Sequence, residues 1–163
     1  MRKIMIVDDN YLSAEGIEKN IDWEVLNAEI VHICYNGTSA IDAMKKEPVD
    51  LIISDIEMPD LDGISMSRQA LDINPMVKII LISAYDKFEY ARRALLLGAL
   101  DYIEKPLDYA YLIQKVKNAF ALMEREQKNL QLLKQSRPLL IEKFSVISLT
   151  VPGRRLPIVS NLI

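Results

Sequence analysis

Asp50-Leu51-Ile52-Ile53-Ser54-Asp55, running on into Ile56-Glu57-Met58-Pro59, decides the fold. Consecutive apolar residues carry the chain through a short run bounded by acids, and a Pro-containing loop follows. Such a run suits a central strand of a parallel sheet, covered on both faces. Asp55 then stands at the strand's C-terminal end, the edge where open α/β sheets collect their chemistry.

The same grammar repeats on both sides. Upstream, Lys3–Val7 reads as a buried strand ending at Asp8-Asp9-Asn10, and Tyr11–Asn20 as a helix with Leu12, Ala14 and Ile17 apolar. Glu29–Tyr35 is a second β-rich run, closed by Asn36-Gly37. Thr38 reads as the N-cap of a helix through Ile41 and Met44 that stops by Pro48. Downstream, Met58–Gly63 leads into a helix over Ile64–Ile73, and Lys78–Ser83 is the next strand. A helix is expected over Tyr85–Leu97, stopped by Gly98, then a short strand over Asp101–Ile103 and a last helix from Leu107 or Asp108. Strands and helices in strict alternation predict a parallel sheet with helices on both faces, in a doubly wound order.

The last helix is longer than a small domain needs. Tyr109, Leu112, Val116, Phe120, Met123, Gln127 and Leu130 recur at spacings of three or four, a heptad-like stripe. Its first half can pack on the sheet. Its second half, from Met123 to about Arg137, should find a partner helix, so a homodimer through the last helices is expected. Pro138 should end or kink it. From Ser145 no periodicity remains.

Bulk properties exclude several classes. Of 163 residues, 50% are apolar and 26% charged, enough for a sizeable core. Twenty Lys and Arg against 23 Asp and Glu give a net charge of -3, which does not favour a nucleic-acid surface spread over the molecule. The lone Cys34 rules out an internal disulfide and suits a reducing cytoplasm. There is no membrane-span-length apolar run. A cytoplasmic protein is the expectation.

Parallel strands bring Asp8, Asp9, Asp55, Ser83 and Lys105 to one edge. Crowded carboxylates need a counter-charge, most naturally Mg²⁺ with oxygen ligands, and Lys105 supplies another. Cations and a hydroxyl beside a carboxylate suit phosphoryl transfer onto Asp55.

The set Val7-Asp8-Asp9-Asn10, Asp55-Ile56-Glu57-Met58-Pro59, Asp62-Gly63, Ser83-Ala84 and Lys105-Pro106 resembles the receiver domain of two-component response regulators over roughly residues 2 to 120. The resemblance implies a flavodoxin-like (CheY-like), doubly wound, five-stranded parallel sheet with five helices, the last extended. It implies Asp55 as phosphoacceptor, charged by a sensor histidine kinase, with Asp8 and Asp9 as the acidic pocket. Mg²⁺ would be bound by Asp9, Asp55 and the backbone carbonyl of Glu57, with Asp8 acting largely through water. Ser83 matches the switch hydroxyl and Tyr102 the switch aromatic. Lys105 precedes a Pro that is usually cis in the family. The chain would then be no enzyme beyond self-catalysed phosphoryl transfer and slow autodephosphorylation.

Ile21-Asp22-Trp23-Glu24 and Ala84-Tyr85-Asp86-Lys87-Phe88-Glu89-Tyr90-Ala91 are similar to segments of the YesN-like, AraC-type subgroup. Its members continue through a helical linker into a DNA-binding domain with two helix-turn-helix motifs. The matching division here is a receiver over 1–122, a helical linker over 123–144 and a tail over 145–163. Nothing after Phe144 resembles such a pair. DNA binding is expected only through a domain absent from this chain.

Blander roles weigh against these. Ser83 could simply cap a helix, Tyr102 could be a half-buried strand aromatic, and Glu57 and Tyr85 exposed loop residues. His32 and Cys34 read as structural, and Trp23 as packing. A metal-dependent phosphatase using the same aspartates is the rival reading; it lacks the usual DxD acid, although Glu57 sits at that offset from Asp55, and a cap domain to enclose a substrate. Neither a Walker A nor a GxGxxG motif follows the first strand.

Overall fold

A computed structural model of the chain describes residues 1–84, 96, 98 and 101–148, with side chains as far as residue 135. Five parallel strands form one sheet, β1 (Arg2–Val7), β2 (Ala28–Cys34), β3 (Leu51–Asp55), β4 (Lys78–Ser83) and β5 (Asp101–Glu104), in the order β2-β1-β3-β4-β5. Helices α1 (Tyr11–Asn20), α2 (Gly37–Lys46), α3 (Gly63–Ile73) and α4 (Tyr109–Ser148) are the described ones. Of the helix expected over Tyr85–Leu97 only Leu96 is among the described residues, and it is helical; the rest lies outside them.

The opening stretch occupies the centre of the sheet. Every residue of β3 is buried, flanked by β1 in the register Ile6↔Ile53 and by β4 in the register Ile53↔Ile80. Successive side chains point to opposite faces. Met5, Val7, Ile52, Ile79 and Leu81 join Ile41 and Met44 of α2 and Ile64, Met66 and Ala70 of α3 in one core cluster. Ile4, Ile6, Ile53, Ile80 and Ile82, equally buried, are left for the other face, where Ala14 and Ile17 of α1 and Leu112, Val116 and Ala119 of α4 are buried as well. Each Ile, Leu, Val or Met among these, fully buried, contributes about 1.5–3 kcal/mol.

Some local features differ from expectation and others add to it. Asn36, not Thr38, is the N-cap of α2, its side chain accepting from the Ser39 N–H at 2.8 Å; both residue types cap well, and the helix begins two residues earlier, at Gly37. In β2 the register jumps from Ile4↔Ile30 to Met5↔His32, so Val31 is an inserted residue and the period of two is lost there. His32, half-buried, lies 3.6 Å from the Glu47 carboxylate. Of the two effects expected of Pro138, an end to the helix does not occur: α4 runs on to Ser148, because the missing N–H and ring clash of one proline weaken a helix without having to end it. Residues 145–148, the first of the expected tail, are part of this helix.

Cys34 is a core residue, and burial pushes its thiol up despite a hydrogen bond with Ser39. Trp23 is also buried, with its indole N–H donating to the Glu18 carbonyl at 3.2 Å. The chain divides into two compact units, Met1–Ala121 and Leu122–Ile163. The first holds the sheet and the site; the second is helical as far as Ser148. Among the described residues no helix is long and apolar enough to cross a membrane.

Candidate functional site

The carboxyl edge of the sheet gathers the candidate residues. Asp8 follows β1 and is 1% exposed. Its backbone N–H donates to the Cys34 carbonyl at 3.1 Å, and its Oδ1 accepts from the Asn10 N–H at 2.9 Å. Asn10 in turn caps α1, its side-chain oxygen accepting from the N–H groups of Leu12 at 3.0 Å and Ser13 at 3.3 Å. The acidic turn and the helix start are thus one hydrogen-bonded unit. Asn just before a helical run signals a cap, and its link to Asp8 is visible only in three dimensions.

Asp55 ends β3 and is 5% exposed. Its backbone carbonyl accepts from the Ser54 hydroxyl at 2.8 Å. Beside it, the start of α3 approaches so closely that a Cβ at Gly63 would lie 2.1 Å from the Asp55 carbonyl oxygen. Only glycine fits there. Asp62 holds that helix start, its Oδ1 accepting from the Ser65 N–H at 2.8 Å, and Asp60 takes a left-handed conformation, φ 67°, in the preceding loop.

Lys105 follows β5. Its N–H donates to the Ser83 carbonyl at 2.8 Å, which ties it to the end of β4. Its ammonium lies 2.9 Å from Asp55 Oδ1 and 3.2 Å from Asp8 Oδ2. The peptide between Lys105 and Pro106 is cis. One carboxylate oxygen from each of Asp8, Asp9 and Asp55 falls within 4.8 Å of the others, with Asp9 exposed and the other two buried. Ser83 is fully buried at the end of β4, Glu57 is half-buried after β3, and Tyr102 is half-buried on β5 against the core cluster. Beside Asp8 and Lys105 opens a cavity of about 320 Å³, walled in part by Leu12, Ile17, Ile82 and Tyr109.

Three carboxylates and one ammonium leave a surplus of two negative charges. Burial, reinforced by repulsion from Asp8 and Asp9, pushes the Asp55 carboxyl up against the opposing pull of Lys105. Burial draws Lys105 down, but the hydrogen bonds and charges of Asp55 and Asp8 outweigh it and hold its ammonium above its ordinary range. Both groups therefore favour keeping a proton. The same surplus makes this all-oxygen donor set fit a hard divalent cation.

Fold and edge together define a doubly wound α/β module whose site is an acidic cluster bridged by a lysine. The chain belongs to the response regulator receiver domain family, whose model matches residues 4–117. It is similar to the transcriptional regulatory protein YesN of Bacillus subtilis, 29% identical over 126 residues that cover 77% of this chain and 34% of YesN. The chain thus spans about a third of that relative's length. Among solved structures, the REC domain of AraT, a response regulator from Geobacillus stearothermophilus, is 34% identical. Its TM-score is 0.73, over 77% of this chain and 98% of that one. A two component transcriptional regulator AraC from Clostridium phytofermentans is 30% identical, with a TM-score of 0.70 over 79% and 99%. Both the receiver family and the YesN-like, AraC-type kinship read from the motifs are thereby established.

Proposed function

We propose that this chain is a phosphorylation switch that takes a phosphoryl group onto Asp55 from the phosphohistidine of a sensor kinase. The observation that carries the reading is the Lys105 ammonium bridging Asp55 and Asp8 within a cluster of three carboxylates. A carboxylate oxygen of Asp55 attacks phosphorus, the imidazole nitrogen leaves, and an acyl phosphate remains on Asp55. Lys105, already against Asp55, accompanies the non-bridging oxygens as charge moves onto the acceptor. Asp9, Asp55 and the Glu57 carbonyl, with Asp8 through water, would hold Mg²⁺, which supplies neutralising positive charge to the incoming group. The chain turns nothing over beyond this transfer and slow loss of the phosphoryl group.

The added dianion then draws the Ser83 hydroxyl and Lys105 inward, and Tyr102 on β5 repacks. The receiver over 1–122 passes this on through the linker over 123–144 to a homodimer formed by the last helices. In longer relatives the output is transcription, with DNA bound by a domain outside this chain. A cytoplasmic site of action follows from the kinase partner.

Labelling by a small phosphodonor in the presence of Mg²⁺ tests the acceptor. The wild type takes label, and Asp55→Asn and Asp55→Ala do not; undiminished labelling of either variant sinks the assignment.

A further inference from the structure

Gly16 lies inside α1, where glycine is a poor helix former. A Cβ there would come within 2.6 Å of the Tyr109 hydroxyl oxygen but 3.8 Å from the ring carbon that bears it. The glycine is thus a notch cut for that hydroxyl. Tyr109 opens α4 and walls the cavity that Asp8 and Lys105 share. Between Lys105 and Tyr109 stand only Pro106, Leu107 and Asp108. The Lys105 end of this segment is fixed to β4 through the Ser83 carbonyl, and at the Tyr109 end the hydroxyl oxygen sits in the space that Gly16 of α1 leaves open.

We propose that Tyr109, seated over Gly16, is a positioning residue for Lys105. It holds the segment that carries the lysine against α1, so that one ammonium faces Asp55 at 2.9 Å and Asp8 at 3.2 Å together. The inference rests on Asp55 as the acceptor. It adds a residue that touches no reacting atom yet sets the geometry of one that does. A shift of about 1 Å in such a group can slow a reaction up to a hundredfold.

The test uses the full chain, a small phosphodonor and a Mg²⁺ titration. Gly16→Ala should lower the maximal labelling rate about tenfold while the protein stays folded and its Mg²⁺ midpoint is unchanged, since the carboxylates are untouched. Tyr109→Ala should slow labelling in the same way. Tyr109→Phe placed in the Gly16→Ala background should restore the rate, because the methyl then meets the ring at an ordinary contact distance. A double variant as slow as Gly16→Ala, or a folded Gly16→Ala protein at the wild-type rate, overturns the proposal. A crystal structure of Gly16→Ala decides it without any labelling. Lys105 displaced from Asp55 supports the proposal, and Lys105 in place overturns it. Should the wild type take no label at all, the acceptor reading fails, and this crystallographic arm still decides the positioning contact.

Discussion

Neutralising the acceptor should stabilise the metal-free protein. Asp8 and Asp9 each bring an oxygen within 4.8 Å of Asp55; at an effective dielectric of about 20, each repels it by about 3.5 kcal/mol. Lys105, at 2.9 Å, attracts it by about 6 kcal/mol on the same footing. Repulsion exceeds attraction by about 1 kcal/mol on these figures, and burial of the charge adds to the cost. Asp55→Asn removes that cost and leaves an amide oxygen to accept from Lys105. In chelator-treated buffer at neutral pH the variant should be more stable by about 1–2 kcal/mol, raising Tm by about 3–6 °C. The pH dependence has a fixed sign. The folded carboxyl is raised above its unfolded value, so ionised Asp55 costs stability at neutral pH. That cost, and the variant's advantage, should shrink as pH falls through the raised folded value and vanish below about 3.9. Added Mg²⁺ should stabilise the wild type more than the variant, which lacks a ligand, and narrow or reverse the order. Thermal and urea unfolding with and without Mg²⁺ measure all of this. A variant less stable than wild type by 1 kcal/mol or more in metal-free neutral buffer would refute the electrostatic account.

Three further outcomes follow from the same geometry. Lys105→Met leaves the carboxylates without their bridging cation and should cost about 2–4 kcal/mol in metal-free urea unfolding. Because the folded Lys105 is raised, this difference should persist to about pH 10.4 and fade only as pH rises through the folded value. Gly63→Ala forces a methyl to within 2.1 Å of the Asp55 carbonyl oxygen and should destabilise by about 3 kcal/mol, read as a lower urea midpoint; a cost below about 1 kcal/mol would show that α3 can back away. Asn10→Ala removes the cap from Leu12 and Ser13 and should cost about 1 kcal/mol, with faster amide exchange confined to the first turn of α1.

Much of the fold was legible because its elements announce themselves locally. The apolar runs Ile4–Val7, Leu51–Ile53 and Ile79–Ile82 are continuous, and each ends at the edge where a candidate side chain stands. The candidates Asp8, Asp9, Asp55, Ser83 and Lys105 could be named from that rule, and the structure brings the three aspartates and the lysine together. What escaped depends on approach in space. Gly16 and Tyr109 are distant in sequence, and nothing local says that one makes room for the other. Gly63 reads as a turn residue until the Asp55 carbonyl is found beside it. The cap of α2 was misplaced because Asn36 and Thr38 are both good caps and only the backbone decides between them. The extra residue at Val31 has no local mark in the sequence, since it shows only in the pairing of β2 with β1.

The central claim is that Asp55 itself receives the phosphoryl group, and borohydride trapping tests it most directly. The chain is incubated with Mg²⁺ and a small phosphodonor, reduced, digested and sequenced by mass spectrometry. Reduction of an acyl phosphate turns the modified aspartate into homoserine, which marks the position permanently. The account predicts homoserine at position 55 alone, and none when Mg²⁺ is chelated. Homoserine at Asp8 or Asp9, or phosphate found on His32 instead, would contradict it.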